Sequence, residues 1–297
     1  MIGGSGGGGE KAADTGALTG SAASKGAAVK IPASWSELGT APDVPGLSLS
    51  DPKAAAPGGK DGGTAIVVGT VDKAADNSRL LAQSFMQAIG GAPKPSGAVQ
   101  IGGGDVQAYR YDNLKPNGFD RAVTVYTVPT TAGVATLACL APAADAESFG
   151  ATCDQIANTL ELSSGDPFPV GPNKDYAGAV DKTLATLGKA DKAGQAKLKA
   201  AKTPQAQAAA AGALAKAFHA AGKSLAALDL SPADRGANGL LVKALRQTGG
   251  GYDKAASAAA KKNKSAFSKA GGDIAKGRKA VAGALAGLKA AGYDVAT

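Results

Sequence analysis

The sequence predicts an α+β protein, in which an antiparallel β-meander domain with packed helices is followed by an all-α antiparallel helical bundle. Short apolar runs rich in β-branched residues, separated by turn residues, predict the strands of the first part. Longer segments with apolar residues at every third or fourth position predict the helices of the second. The charge balance also changes along the chain: residues 1–172 hold 11 basic and 16 acidic residues, and residues 173–297 hold 21 and 8.

The first 30 residues have the composition of a flexible linker. Residues 1–30 open with MIGGSGGGGE and hold few large apolar side chains, so they offer little surface to bury. No signal peptide is evident, because a charged n-region and an apolar h-region are both missing. We expect a natural linker that follows a membrane anchor absent from this chain, and a linker of artificial origin is the alternative.

Residues 31–165 are predicted to form the α+β domain. After Trp35, residues 36–63 are rich in Pro, Gly and Asp and are expected to form a loop. Leu81, Phe85 and Ile89 recur at intervals of four and predict a helix. Turn residues separate the strands and favour an antiparallel meander. The predicted strands are residues 64–69, 105–111, 121–128 and 134–140.

The two cysteines are predicted to form a disulfide. Cys139 lies in the last predicted strand, and Cys153 lies on the apolar face of a helix expected over residues 145–162. The turn between them lets this helix fold back on the sheet, so that the two sulfur atoms meet. Such a bond implies an oxidising, extracytoplasmic compartment. The alternative is two unrelated cysteines packed as small apolar residues.

A proline-rich linker is expected over residues 166–174, followed by a Lys/Ala-rich helical bundle over residues 175–297. Thr203-Pro204 and Ser231-Pro232 are typical of helix starts. In the last helix the larger apolar residues recur at heptad spacing, with small residues three positions after the first three. This pattern predicts a coiled-coil-like seam with close helix packing. The seam is formed by Phe267, Ile274, Val281 and Leu288 together with Ala270, Gly277 and Ala284.

Lysines on the solvent side of the bundle form the candidate contact surface for an anionic partner. The second half has 18 Lys and 3 Arg, a balance that favours loose, salt-sensitive attraction over specific recognition. An anionic envelope surface or an unidentified protein is the expected partner. The scarcity of aromatic residues for base stacking argues against nucleic acid, and a merely solvated face is the further alternative. The candidate residues are Lys254, Lys261, Lys262, Lys264, Lys269, Lys276, Arg278 and Lys279.

The sequence contains no recognisable catalytic, metal or cofactor site. One histidine and two cysteines rule out a zinc-finger type of His/Cys cluster. His219 has no nucleophile placed near it by a known motif, and we expect it to be structural. Gly102, Gly103 and Gly104 lack the Lys and Ser/Thr of a P-loop, so they predict a tight turn between strands. The chain is therefore expected to be non-enzymatic, with no cofactor.

Three stretches resemble uncharacterised membrane-anchored extracytoplasmic proteins of actinobacteria. These stretches are residues 119–126, 129–139 and 153–157. The resemblance implies a transmembrane helix before a Gly/Ser linker and a Lys/Ala-rich helical tail after the domain. It implies no functional residues, because that family has no established activity. More distantly, the entry from Ile31 to Trp35 and the strand order are similar to the Mog1/PsbP-like α+β fold, which implies a binding or assembly domain.

Together these observations predict a non-enzymatic binding or scaffolding protein of the cell envelope, extracytoplasmic and anchored at the cell membrane. The basic bundle is expected to face an anionic partner. The alternative is an intracellular Lys/Ala-rich protein that binds nucleic acid without sequence specificity. An enzyme of unrecognised class is the third hypothesis.

Overall fold

The computed structural model describes residues 16–295, which belong to two compact units divided between Val170 and Gly171. The first unit holds antiparallel sheets and the second holds helices, as predicted for an α+β chain. The division falls within the predicted linker of residues 166–174. The start of that segment is nevertheless part of the first unit, because the Phe168 N–H donates to the Pro129 carbonyl over 2.8 Å.

A seven-stranded antiparallel sheet forms the centre of the first unit. The described strands of this unit are β1 (Leu18–Ala23), β2 (Ala27–Pro32), β3 (Trp35–Glu37), β4 (Ser50–Pro57), β5 (Ala65–Val71), β6 (Gly97–Ile101), β7 (Val106–Leu114), β8 (Arg121–Thr130), β9 (Gly133–Pro142) and β10 (Glu161–Leu162), and its α-helices are α1 (Gln83–Ala88) and α2 (Ala146–Ala157). The strand order in the large sheet is β3-β4-β5-β9-β8-β7-β6. The predicted meander is confirmed in β7, β8 and β9, and the predicted first strand is β5, which pairs with β9.

Strand β4 lies inside the segment predicted to be a loop, residues 36–63. It pairs with β5 in the register Ala54 to Val67 and Ala55 to Ile66. Alanine has a low intrinsic preference for strands, but these small side chains are at most 2% exposed. Burial against the neighbouring strand therefore outweighs the local preference that favours a loop.

The segment predicted to be a flexible linker also contains strands. β1 and β2 form an antiparallel hairpin, and β2 pairs with the short strand β10, so the three make a second sheet. Val29 and Ile31 are each only 2% exposed, which shows that a few apolar residues suffice when a larger sheet covers them. The linker prediction is thus wrong for residues 18–30, and residues 1–15 lie outside the described part of the chain.

Both faces of the large sheet are covered. One face packs against α2 and the second sheet in a cluster that includes Ile31, Leu137 and Ile156. Alternate strand residues point to the opposite face, where Val125 and Tyr111 are fully buried. The Tyr111 hydroxyl donates to the Arg79 carbonyl over 2.5 Å, so the segment leading into α1 covers this second face.

Helix α2 is fixed to three adjacent strands. The disulfide between Cys139 and Cys153 is confirmed, with Cα atoms 6.1 Å apart, and it joins α2 to β9. The next residue, Asp154, accepts hydrogen bonds from the Tyr126 hydroxyl on β8 and from Arg110 on β7. Under the chain-entropy model a loop of this length contributes roughly 3 kcal/mol. Because the disulfide is buried, it forms part of the core rather than a surface link.

The described part of the second unit contains four helices that alternate in direction. Each helix is preceded by an N-cap residue whose side chain accepts a backbone N–H of the first turn. These residues are Asn173, Thr203, Ser231 and Asn263. The predicted helix starts at Thr203-Pro204 and Ser231-Pro232 are therefore confirmed. The helices are α3 (Lys174–Ala200), α4 (Pro204–Ala226), α5 (Pro232–Ala260) and α6 (Lys264–Ala290).

Glycine allows the α5 and α6 backbones to approach closely. A Cβ atom on Gly277 would lie 2.9 Å from the backbone nitrogen and Cα of Thr248. Gly277 and Ala270 are buried in the seam. The larger seam residues Phe267 and Ile274 are only partly buried. At Ile274 the close approach is made possible by Gly251 on α5, where a Cβ atom would lie 3.0 Å from the Ile274 backbone nitrogen.

A buried carboxylate joins the two chain ends of the bundle. Asp234, in the first turn of α5, is 1% exposed, and one of its oxygens accepts a hydrogen bond from the Tyr293 hydroxyl. That hydroxyl also accepts the Asn173 backbone N–H, which precedes α3. Burial raises the pKa of Asp234, although the Tyr293 hydrogen bond opposes the shift. We call this end of the bundle, marked by Asn173 and Tyr293, the entry end.

Replacing Gly277 with Ala is expected to destabilise the bundle by about 1–3 kcal/mol, because the added methyl group overpacks against the α5 backbone. Gly283→Ala is the matched control on the same helix, where a Cβ atom meets nothing within 4 Å. The control should be neutral or up to about 1 kcal/mol more stable. Thermal unfolding followed by circular dichroism in the far ultraviolet tests both variants, and similar effects for the two would contradict the packing described.

Asp234→Asn is expected to change the pH dependence of stability. As the pH rises above the ordinary carboxyl pKa of 3.8, Asp234 ionises first in the unfolded chain, so the wild type loses stability until the raised folded pKa is passed. The amide cannot ionise, so the stability of the variant relative to wild type should grow with pH across that interval and then level off. Urea unfolding at a series of pH values measures this difference. The exposed Asp175→Asn variant is the control, and parallel curves for wild type and Asp234→Asn would refute the assignment.

Candidate anionic-partner surface

The structure places the eight candidate residues along α5, α6 and the turn between them. Lys254 lies near the end of α5, Lys261 and Lys262 lie in the turn, and the others lie on α6. The seven lysines are exposed, and only Arg278 is partly buried. The surface therefore consists of two groups, one on the flank of the α5–α6 pair and one at its turn.

The flank group surrounds a single carboxylate. The Lys254 ammonium lies 2.7 Å from the Asp273 carboxylate. This hydrogen bond and charge, followed by the charges of Lys276 and Lys269, lower the pKa of Asp273. Three lysines from two helices thus share one acidic partner and leave an excess of positive charge. Because the pair is exposed, salt screens it and it contributes little to stability.

Arg278 differs from the seven candidate lysines, because its side chain contacts the other three helices of the bundle. Its Nη2 atom donates to Asp191 on α3 over 2.5 Å and to the Tyr252 hydroxyl on α5 over 3.0 Å. The guanidinium group also lies over the Phe218 ring of α4, 5.4 Å from its centroid. Arg278 follows Gly277 at the edge of the seam, so its planar, donor-rich group connects α6 with the other three helices.

The turn group is held by a tight helix connection. The Asn263 and Lys262 N–H groups donate to the Ala258 and Ala259 carbonyls, both over 2.9 Å, which is a Schellman ending of α5. Lys262 occupies the left-handed position of this motif with a φ of 55°, where glycine is usual. Asn263 at once begins α6, because its side chain accepts the Ala266 N–H. Lys261, Lys262 and Lys264 therefore emerge within four residues.

The structure adds lysines that the predicted site omitted. Residues 192–202 and 254–269 contain nine lysines and no carboxylate. Because the helices alternate in direction, the end of α3 and the start of α4 lie at the same end of the bundle as the α5–α6 turn. We call this the lysine end. Its lysines are Lys192, Lys197, Lys199, Lys202, Lys254, Lys261, Lys262, Lys264 and Lys269.

The acidic residues of the bundle lie at the entry end or border the lysine end. Asp175 and Asp234 lie in the first turns of α3 and α5, at the entry end. Asp191, Asp253 and Asp273 border the lysine end and contact Arg278, His219 and Lys254, respectively. The absence of acidic residues between Asp191 and Asp229, and again between Asp253 and Asp273, was a visible sequence signal for the lysine end.

Residues 16–295 show no metal-binding cluster of His, Cys, Asp or Glu. The His219 Nε2 atom lies 2.7 Å from an Asp253 carboxylate oxygen on the bundle surface. Gly102–Gly104 form the turn between β6 and β7, as predicted. Within the same described range, no helix is both long enough and apolar enough to cross a membrane.

No protein-family model matches the chain, and comparisons with curated proteins and with solved structures give no significant match.

Proposed function

We propose that the protein is a non-enzymatic binding or scaffolding protein of the cell envelope, which presents the lysine end of its bundle to an anionic partner. The observation that carries this proposal is the concentration of nine lysines without a carboxylate in the two segments that meet at one end of the bundle. Unlike a uniformly solvated surface, this arrangement creates a directional positive field.

The residue types support a fluid anionic surface as the partner. Lysine is a mobile, strongly hydrated point charge, whereas specific recognition of phosphate or bases relies on the rigid fork of arginine. The lysine end contains no arginine. Binding to phospholipid head groups or to an anionic wall polymer is therefore favoured, and it should weaken as salt is added.

The disulfide supports the extracytoplasmic part of the proposal. Buried disulfides persist in oxidising compartments and are rare in the cytosol, and Cys139 and Cys153 are bonded inside the core of the first unit. An N-terminal membrane anchor, as in the proteins that the sequence resembles, would hold the bundle close to its partner.

Non-specific nucleic-acid binding is the competing function. It would use the same lysines, and its affinity would fall steeply with salt on DNA of any sequence. The lysine end has one aromatic residue, Phe267, and so offers no series of rings on which successive bases could stack. Direct comparison of the two classes of partner decides between them.

We predict that both cysteines are protected in protein purified from its native cells. Alkylation under denaturing conditions without reductant, followed by intact mass, should show no added label, and labelling at both positions should appear after reduction. Protection supports an oxidising compartment. Two thiols alkylated without reductant would overturn the extracytoplasmic part of the proposal.

We also predict that charge at the lysine end controls binding of the full chain to vesicles of phosphatidylcholine and phosphatidylglycerol. Two variants each replace four exposed lysines with glutamine and so remove equal charge. K197Q/K199Q/K261Q/K264Q changes the lysine end, and K182Q/K189Q/K223Q/K243Q changes positions away from it. The first should lower the affinity at least about tenfold, because a lysine near an anionic surface contributes roughly 1 kcal/mol.

The matched variant should lose much less affinity than the first. Teichoic acid and duplex DNA serve as the other probes in the same titrations. Equal losses for the two variants, or binding to DNA without binding to vesicles or wall polymer, would contradict the proposed function.

A further inference from the structure

An apolar groove of about 640 Å³ lies at the lysine end, between the start of α4 and the α5–α6 turn. Such a volume is within the range of pockets that hold small organic ligands. Its lining combines apolar, basic and neutral polar residues. The apolar residues are Pro204, Ala258, Ala259 and Phe267, the basic residues are Lys262 and Lys264 at the turn, and the neutral polar residues are Gln207, Asn263 and Ser268.

The groove exists because small and large residues face each other there. Ala258 and Ala259 at the end of α5 line the groove together with the larger Phe267, and they are only 5% and 4% exposed. Phe267 packs against the edge of the bundle core and remains partly exposed. Elsewhere in the seam, Leu288 is fully buried. The ring at position 267 therefore has one face in the core and apolar surface left for another contact.

The lysines at this groove have no acidic partner. In the described part of the chain, no carboxylate lies within ion-pair distance of Lys261, Lys262 or Lys264, and the nearest acidic residues in sequence are Asp253 and Asp273. A ligand that complements both features must combine an apolar segment with a negative charge at one end.

We propose that this groove holds an acyl chain of an anionic phospholipid, with the lipid phosphate at Lys262 and Lys264. The inference rests on the proposed function, since it takes the lysine end as the anionic contact, and it names membrane lipid as the partner. A wall polymer supplies the charge but not the apolar segment. In this arrangement the Phe267 ring contacts the acyl chain, and salt does not screen this apolar contact.

The backbone at Lys262 agrees with this assignment. The chain has 43 glycines, yet it places lysine at the left-handed position of the turn, at an energetic cost that glycine would avoid. Residues held in sparsely populated conformations concentrate at functional sites. Lys262→Gly should therefore keep or raise the thermal stability while it lowers the affinity for phosphatidylglycerol vesicles several-fold.

A tryptophan introduced at position 267 tests the acyl contact directly. The native Trp35 is the only tryptophan, so Phe267→Trp in a Trp35→Phe background gives a single reporter. Vesicles that contain phosphatidylglycerol brominated on its acyl chains should quench this reporter. The matched control is Val281→Trp in the same background, which lies 14 positions further along the same seam and should remain unquenched.

Removal of the ring tests its contribution to affinity. Phe267→Ala should bind the same vesicles several-fold more weakly than wild type, and the ratio of the two affinities should stay constant as salt is added, because salt screens the lysine attraction of both proteins equally and does not screen the apolar contact. Phe267→Leu should restore most of the salt-resistant binding. Melting curves identify any variant that has lost its fold.

The outcomes separate the two proposals. If the lysine-end variant loses vesicle binding but the Phe267→Trp reporter is not quenched and Lys262→Gly binds as wild type does, the lipid groove is refuted and the basic surface stands. If no anionic vesicle or polymer binds wild type, the proposed function itself fails. Quenching of the Phe267→Trp reporter together with weaker binding by Lys262→Gly supports the groove.

Discussion

Close approach between backbones is the constraint on which the bundle depends. Only 4% of residues are aromatic, so large side chains cannot fill wide gaps between helices. At Gly277 and Gly251 a Cβ atom would come within about 3 Å of backbone on the facing helix, and at Gly194 it would clash with the Leu214 side chain. Packing of this kind leaves little space for long side chains between helices, so the lysines occupy outer positions and the cost of ordering the chain is offset by many small contacts.

In the first unit, neighbouring strands are linked to one helix, α2. Cys153 and Asp154 are adjacent on α2, and together they reach β9, β8 and β7 through the disulfide, the Tyr126 hydroxyl and Arg110. A covalent bond and a charge-assisted hydrogen-bond network thus act side by side. On the same helix, Phe149 stacks on Trp35 with ring centroids 5.9 Å apart, which extends the contact to β3.

Helices and strands with a local sequence pattern could be predicted, whereas elements that depend on contacts between residues distant in sequence could not. Helix starts at Thr203 and Ser231, and the strands around Val125, follow from residues close in sequence. Strands β1, β2 and β4 form in Gly- and Ala-rich segments because other strands pair with them, and no local preference reports that pairing. The inward position of Arg278 and the groove at Phe267 depend on how helices distant in sequence meet. The disulfide was predictable because its two residues lie on consecutive elements.

The hydrogen bond between Tyr293 and Asn173 joins the first and the last segment of the bundle. The segment before α3 and the segment after α6 therefore lie at the same end of the bundle. Helix α3 has 27 residues, so it extends roughly 40 Å from that end. This is several times the Debye length of about 8 Å at physiological ionic strength. Salt therefore screens the entry end and the lysine end from each other, so that a change of charge at one end has little electrostatic effect at the other.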